Sequence, residues 1–415
     1  MIILLVSIGT RGDMEPFLAI GEMLKQKGHQ VICLFPEQFR NLVEDSDMRF
    51  ASLGSEFMEM LEIDVGKFAL GGGGSKWNKI LAYVKLAKMQ NKNNKLMIAK
   101  QHEVVAQEKP DRIIHNGKAM YPVIWEAGNK GKTIYVSPVP YLHYVKHHTH
   151  IAFNSNYGEF FNKLTYKLAD WGLVKTIMIS VNWLEISDIR KSQIIKVLEN
   201  HKIIYTISPQ LFAKPSYWKK NLKVLGYHER NKTLNWKASN ELLAFLEKHP
   251  KCILITFGSM TNPAPEEKTK IVLDILKRNR IPAIINTASG GLVEPNSYDK
   301  NLIHFVSQIP YDWIFPKVYA VIHHGGSGTT HMTLKYGCAT MIIPHIIDQF
   351  IWNKIIYQKG FGPQGIKISE ITMVNLEPKV LELVSNSSFK QKAEKVAKQM
   401  ENEDFREELY NSIVE

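Results

Sequence analysis

His323-His324-Gly325-Gly326-Ser327-Gly328-Thr329-Thr330 follows directly on an apolar run, residues 319–323, and leads into a short helical pattern that ends at Gly337. A buried strand, a glycine loop and a helix start, in that order, make an anion site. The glycines let the backbone approach a ligand, the first turn offers N–H groups with no partner inside the helix, and the helix dipole adds roughly 0.3–1 kcal/mol for a negative charge. His324 and the Thr329 hydroxyl are the candidate side-chain donors, whereas His323, at the strand end, reads as structural. The run is not a Walker A loop, because it lacks Gly-Lys-Ser/Thr, and its glycine spacing is not that of the dinucleotide fingerprint. The competing reading is a glycine-rich turn that serves packing alone.

Outward from this stretch the chain keeps an alternating α/β cadence. Residues 252–257 read as a strand ending in Gly258-Ser259-Met260, followed by a helix over 266–278 and strands over 283–286, 302–306, 319–323 and 340–343. The first half repeats it: a strand over 2–6, a helix over 16–27 with Pro16 in its first turn and Gly28 as its stop, and a strand over 31–35. Strands over 112–115 and 133–136 flank a helical stretch over 123–129. Such units cross over right-handedly and build parallel sheets. The expected fold class is therefore α/β, two Rossmann-like doubly wound parallel-sheet domains facing across a cleft. The expected division is a first domain over 1–226, a polar connector over 227–240, a second domain over 241–388, and a helical segment over 389–415 packing back toward the first domain. Val396 and Met400, like Leu409 and Ile413, recur at helix spacing in that last segment. Gly71-Gly-Gly-Gly-Ser75 reads as a flexible connector. Ligands of open α/β sheets bind beyond the carboxyl ends of the strands, so the strand-end loops are where chemistry is expected.

At 415 residues the chain has room for two to three domains at about 150 residues each. With 45% hydrophobic and 22% charged residues it is neither disordered nor a disulfide scaffold. Cys33, Cys252 and Cys338 are far apart and show no C-x-x-C spacing, so neither a structural zinc site nor a disulfide framework is read, and the compartment is expected to be reducing. Lys plus Arg number 52 against 40 Asp plus Glu, a formal charge of +12. The lysines are scattered, and no helix-turn-helix, zinc-finger or RNA-recognition signature accompanies them, so nucleic acid is not expected as a partner. Residues 76–100 mix Trp77, Ile80, Leu81, Val84, Leu86 and Met89 with lysines, which leaves peripheral contact with an acidic membrane surface open beside plain solubility. The apolar amino-terminal run stops at Val6, too short for a signal peptide, and no run of about 18 apolar residues occurs. The expected location is cytoplasmic, with contact at the inner face of the membrane left open.

Beyond the 340–343 strand stand Asp348 and Gln349. A carboxylate beside a carboxamide at a strand end can hold sugar hydroxyls, or cap the following helix; either reading is open. The histidines and aromatics from Tyr141 to His150, with Phe160, Phe161, Trp171, Met178 and Trp183, suit an apolar lining better than a metal site, since no carboxylate or cysteine is spaced to complete a ligand set.

The run over 310–362 (Pro-Tyr-Asp-Trp-Ile-Phe-Pro, then His-His-Gly-Gly-Ser-Gly-Thr-Thr, then Asp-Gln-Phe-Ile-Trp-Asn, then Gly-Phe-Gly-Pro) resembles the donor-binding signature of UDP-glycosyltransferases. Gly9-Thr10-Arg11-Gly12-Asp13-Met14-Glu15-Pro16-Phe17 resembles the amino-terminal element of the sterol and macrolide glycosyltransferase branch. The resemblance covers essentially the whole chain and implies the GT-B fold, a nucleotide-sugar site in the carboxyl-terminal domain and an acceptor pocket in the amino-terminal one. It implies that His324 meets the diphosphate and that Gly326, Ser327, Gly328 and Thr329 form the phosphate cradle. Gly258 and Ser259 would stand on the phosphate side, Gln308 and Ile309 against the base, and Asp348 and Gln349 on the sugar. No tryptophan stands at 306–309, Met332 occupies the position of the plant-type ribose-binding glutamate, and Tyr311 replaces a histidine common in the bacterial and fungal pattern.

The same resemblance assigns Asp13 as the general base, on a loop with Thr10, Arg11 and Gly12, because inverting transfer needs the acceptor hydroxyl deprotonated as it attacks the anomeric carbon. Capping of the following helix is the alternative role for Asp13. Arg11 either orients Asp13, contacts phosphate or is structural, and His115 is a second candidate catalytic residue beside Asn116. No D-x-D motif stands at a strand end, so no metal is expected, and no bound cofactor beyond the UDP-sugar co-substrate. The expected activity is metal-independent, inverting transfer of a hexose, UDP-glucose being the first choice of donor, to a hydroxyl of a lipophilic small molecule such as a sterol, polyketide or flavonoid. A nucleotide-sugar epimerase of GT-B fold and a non-catalytic nucleotide-sugar-binding partner are the alternatives.

Overall fold

The computed structural model describes residues 1–56, 76–153, 155–230, 236–262, 264–288 and 290–415, with the side chains of residues 76–90 and of residue 347 outside the description. The Gly71 to Ser75 connector, the core of the polar connector at 231–235 and the side chains of the basic apolar stretch over 76–90 therefore lie outside the described residues. Two compact units divide the chain: the first runs to Arg230 and takes in Asp404–Glu415, and the second extends from there to Glu403.

The first unit is a seven-stranded parallel sheet in the order β3-β2-β1-β4-β5-β6-β7, formed by β1 (Ile2–Val6), β2 (Gln30–Phe35), β3 (Arg49–Ser52), β4 (Arg112–His115), β5 (Thr133–Ser137), β6 (Lys202–Tyr205) and β7 (Leu222–Val224). Side chains alternate across the sheet, so successive strand residues enter opposite cores. Ile3, Leu5, Cys33 and Phe35 pack with Phe17 and Leu24 of the helix Arg11–Gln26, while Leu4, Val6, Ile32 and Leu34 pack with Ile98, Ile177 and Ile194 on the other face. Burial on both faces explains why these strands read as continuous apolar runs.

The second unit is a five-stranded parallel sheet in the order β10-β9-β8-β11-β12, from β8 (Ile253–Thr256), β9 (Ala283–Asn286), β10 (Ile303–Val306), β11 (Ala320–His323) and β12 (Ala339–Ile342). In both sheets the strand order reverses once, at β1/β4 and at β8/β11. Helices leave opposite faces at such a point and open a crevice at the carboxyl ends of the two strands. The loop after β1 leads into the helix whose first turn carries Asp13, the loop after β4 carries Lys118, and those after β8 and β11 carry Gly258 and His324.

Two expectations change. The helix after β1 starts at Arg11, not at Pro16, because Thr10 and Asp13 form a capping box and Pro16 falls inside the helix. The segment over 389–415 is not one returning helix: Ser387–Glu401 belongs to the second unit, burying Val396 and Met400, and only Arg406–Val414 belongs to the first. Each apolar pair serves a different core, so the chain breaks between them. Leu409 and Ile413 are fully buried among Ile3, Leu24 and Val31, and the Arg112 guanidinium donates to the Val414 carbonyl at 3.2 Å. Leu409→Ala is expected to cost about 2–5 kcal/mol of the first unit's stability, read by urea unfolding.

Candidate functional site

In the second unit Gly258, His324, Gly325 and Gly326 come together at the β8/β11 crevice. Gly258, with φ +57°, leaves room that a Cβ would take from the His324 ring at 2.9 Å, and a Cβ on Gly326 would come to 2.5 Å of His324 Nε2. The two glycines thus hold the imidazole between their loops. Gly325 has φ +96°, and a Cβ there would strike Ile342 at 2.6 Å and Gln349 at 3.2 Å, which brings the β12 loop against the same run. The helix Ser327–Lys335 begins immediately after, with Gly326, Ser327 and Gly328 only partly covered and Thr329 buried. Its first N–H groups point out of the helix toward the crevice.

Polar atoms at this crevice are left without partners. His324 Nδ1 and His345 Nε2 are buried with no hydrogen bond. Burial lowers the His324 imidazole to about 3, with His345 adding to the effect, and lowers His345 to about 4. Both rings are neutral at pH 7, so each offers a neutral N–H or a lone pair rather than a cation. His345 Nδ1 donates to the Ile343 carbonyl at 3.0 Å, so its neutral Nε2 is a lone pair, and His324 is the ring of the two that can present an N–H to an anion. An orphaned buried polar group costs about 1–3 kcal/mol, a cost that such a contact would relieve. His345 was not among the expected site residues; its position at the end of β12, just before Asp348-Gln349, was the available signal. Beneath the crevice, Tyr311 Oη and Thr256 Oγ1 lie 2.9 Å apart, Asn286 donates to the same Thr256 oxygen at 3.3 Å, and Tyr311 stacks on Phe315. His323 is fully buried; its Nδ1 accepts the Gly325 N–H at 3.0 Å, and its Nε2 is a third buried nitrogen with no hydrogen bond.

Other expected donor residues are placed differently. The Gln349 side chain is 3% exposed, and its carbonyl oxygen accepts the His345 N–H at 2.7 Å and the Ile346 N–H at 3.2 Å, so that oxygen caps the helix Ile347–Lys359. Asp348 remains partly exposed at the same helix start. Ser259 is exposed, whereas Ile309 is buried and Gln308 exposed beyond the edge strand β10, two strands away from β8.

In the first unit Asp13 is the third residue of a helix. Its Oδ2 accepts the Thr10 N–H at 2.8 Å, and its Oδ1 meets Lys118 Nζ at 3.0 Å. Asn116 fastens the two strand-end loops: its amide donates to Ser7 Oγ at 3.0 Å and to the Ile8 carbonyl at 2.8 Å, and its oxygen accepts the Lys118 N–H at 3.1 Å. Ser7 in turn donates to the Asp13 carbonyl at 2.9 Å. Lys118 was not anticipated; it lies 105 residues from Asp13 in sequence. Gly12 and Thr10 belong to the helix start, and Gly9, φ +141°, is required because a Cβ there would overlap the Asp13 carboxylate.

Two expectations for this loop need correction. Arg11 does not orient Asp13; it points along the helix to Glu15 at 3.0 Å. His115 is buried away from Asp13, donating from Nδ1 to the Asn116 carbonyl at 2.9 Å, with Nε2 3.4 Å from His201 Nε2 and its ring stacked on Tyr135. Burial lowers it to about 4. As the partner of Val6 at the end of β4, it shares the sheet face opposite the helix that carries Asp13.

Residues 3–123 match the model of the glycosyltransferase family 28 N-terminal domain, and residues 295–415 that of the erythromycin biosynthesis protein CIII-like C-terminal domain. A sterol 3-beta-glucosyltransferase of Arabidopsis thaliana is 29% identical over 97% of this chain and 64% of its own length. The Saccharomyces cerevisiae sterol 3-beta-glucosyltransferase is 24% identical over 96% of this chain and 34% of its own. The chain thus spans from about two thirds to one third of these curated relatives. Among solved structures, the glycotransferase of kitacinnamycin has a TM-score of 0.70 at 13% identity, covering 99% of this chain and 98% of that one. The glycosyltransferase VinC in complex with dTDP has a TM-score of 0.66 at 14% identity, covering 100% and 98%. At such identities the likeness is one of fold, and that fold is GT-B.

Proposed function

From a chain that belongs to the UDP-glycosyltransferase superfamily, we propose an inverting glycosyltransferase that moves a hexose from a UDP-sugar to a hydroxyl of a lipophilic acceptor. UDP-glucose and a sterol-like alcohol are the first choices, in line with the sterol 3-beta-glucosyltransferases it is similar to. One observation carries the reading: at the strand-order reversal of the second sheet, a glycine-walled helix start surrounds a buried, partnerless imidazole nitrogen. A diphosphate supplies the acceptor atoms such a place lacks.

In this reading the helix start at Ser327–Thr329 and His324 take the diphosphate. Asp348 is the remaining candidate for the sugar, while Gln349 contributes by fixing the loop. The acceptor oxygen attacks the anomeric carbon as the bond to the phosphate oxygen breaks; the electron pair leaves with the diphosphate and the hydroxyl proton goes to Asp13. Donors preorganised toward the developing phosphate charge stabilise the transition state without reorganising at the moment of reaction. The two Asp13 oxygens divide the work: Oδ2 holds the helix start, and the acceptor hydroxyl replaces Lys118 on Oδ1.

Thermal-shift titration against UDP, dTDP, GDP and NAD tests the donor site, since a ligand of the folded state raises the midpoint by mass action. UDP is expected to give the largest shift, and His324→Ala to weaken UDP binding about tenfold, the equivalent of one hydrogen bond to a charged group. A larger shift with dTDP would reassign the donor. Silence across the nucleotides with a folded protein would remove the reading.

A further inference from the structure

The helix Glu159–Trp183 of the first unit is inverted in its first half. Polar Asn162 and Thr165 face inward with Tyr166, while Phe160, Phe161, Leu164, Leu168 and Trp171 face solvent. The inward residues are fully used. Asn162 accepts the Tyr157 N–H at 2.9 Å and donates to Asn156 at 2.8 Å, Thr165 accepts the His150 N–H at 2.9 Å, and Tyr166 donates to the Thr149 carbonyl at 3.1 Å. Folding of the unit thus accounts for the inner face and not for the outer one.

At 3.6 residues per turn, positions 160, 164, 168 and 171 fall on one side, and with 161 and 179 they span an arc of about 100°. Phe160 is 77% exposed, Trp171 60% and Phe161 57%. Lys163 and Lys167, both exposed, border this stripe, and Lys175 lies one turn beyond Trp171 with its ammonium 5.3 Å from the indole ring. Glu159 and Asp170 are the acidic residues of the same helix.

We propose that this helix face is where the protein docks on an anionic lipid bilayer. The cores of protein interfaces are depleted of lysine. A stripe of Phe, Leu and Trp edged by lysines, whose stems lie along apolar surface while their ammonium groups reach lipid phosphates, is the composition of an interfacial helix. The formal charge of +12 favours the same surface. Among the described residues no helix is long and apolar enough to cross a membrane. The inward polar residues fasten the face to the loop after β5, and the carboxyl end of β5 lies on the same edge of the parallel sheet as that of β1, from which Asp13 follows. As a route by which a lipophilic acceptor arrives, this rests on the proposed function; as a membrane contact it stands apart from it.

Cosedimentation of the full chain with phosphatidylcholine vesicles, with and without phosphatidylserine and with no nucleotide present, tests the inference. The chain is expected to bind the phosphatidylserine vesicles, and the Phe160→Ser, Trp171→Ser double variant to bind about tenfold or more weakly. Lys163→Glu with Lys167→Glu is expected to weaken binding and flatten its salt dependence. Both variants should keep the native shift with UDP, which separates lost docking from lost folding. Equal vesicle binding by the native chain and the serine variant overturns the inference, as does absence of native binding. A native dimer that the serine variant converts to a monomer in analytical ultracentrifugation also overturns it, by assigning the face to a second copy. Vesicle binding without any nucleotide shift would overturn the proposed function and leave this inference standing.

Discussion

Asp13→Asn is expected to lower kcat by about 10²–10⁴ while leaving the UDP thermal shift unchanged, the range that loss of a positioned general base produces. The geometry makes this substitution informative. The Thr10 N–H donates to Oδ2 at 2.8 Å and Lys118 contacts Oδ1 at 3.0 Å. An asparagine oxygen still accepts the Thr10 N–H, so the helix start survives while the basic oxygen is replaced by an amide. Asp13→Ala removes both functions and is expected to cost about 1 kcal/mol of stability besides. If the residue only capped the helix, Asn would turn over almost normally and Ala would lose activity in proportion to unfolding. If it is the base, the two variants are equally inactive at temperatures where both are folded. Hydrolysis of the donor, measured without acceptor, supplies a further distinction, since water needs the same proton removed. Near-normal turnover by Asp13→Asn would sink the assignment.

The legible parts of this molecule are those whose physics is local. Apolar runs bounded by glycine gave β1, β2, β4, β5 and the five strands of the second unit, because a doubly covered parallel strand has few other readings. The strand, loop and helix start around the glycine run at 325–328 were legible for the same reason: they are contiguous in sequence. Pro16 misled, since proline is favoured in a first turn, whereas the true start was written in Thr10-x-x-Asp13, a capping-box spacing with Asp in place of Glu. Contacts made across the sheet were not legible. The Lys118 partner of Asp13 and the Arg230 guanidinium on Glu15 at 3.0 Å are 105 and 215 residues apart in sequence. His115 looked accessible because it ends a strand, yet alternation sends its side chain to the face opposite the Asp13 helix, and its neighbour Asn116 is the one that reaches the β1 loop. The partnerless nitrogens of His324 and His345 become visible only when the loops of three strands are brought together.

Acidification from pH 7 to 5 is expected to destabilise both units steeply, before the carboxylates titrate. Burial lowers His115, His143 and His150 to about 4 in the first unit, and lowers His201 there as well. It lowers His331 and His345 to about 4 and His324 to about 3 in the second, and lowers His323 as well. The sign follows from linkage. Between the folded values near 4 and the unfolded value of about 6.5, the unfolded chain binds protons that the folded one does not, so stability rises with pH across that window and is lost as pH falls through it. For a fully buried ring such as His331, where Nδ1 donates to the Ser327 carbonyl at 2.7 Å and the ring stands edge-on to Trp352, the loss at pH 5 is about 2 kcal/mol. A few such groups in one unit are comparable to the lower part of a typical domain stability of about 5–15 kcal/mol. Glu37, Asp47 and Glu241 have lowered values and add their own loss only below the ordinary carboxylate range, so the interval from 5 to 6.5 reports on histidine. Urea unfolding at intervals across pH 5–7 is expected to show midpoints falling together with proton uptake on unfolding, and UDP to oppose the fall by occupying the crevice beside His324. A midpoint flat over this window would mean that water reaches these rings and that the crevice is more open than its geometry indicates.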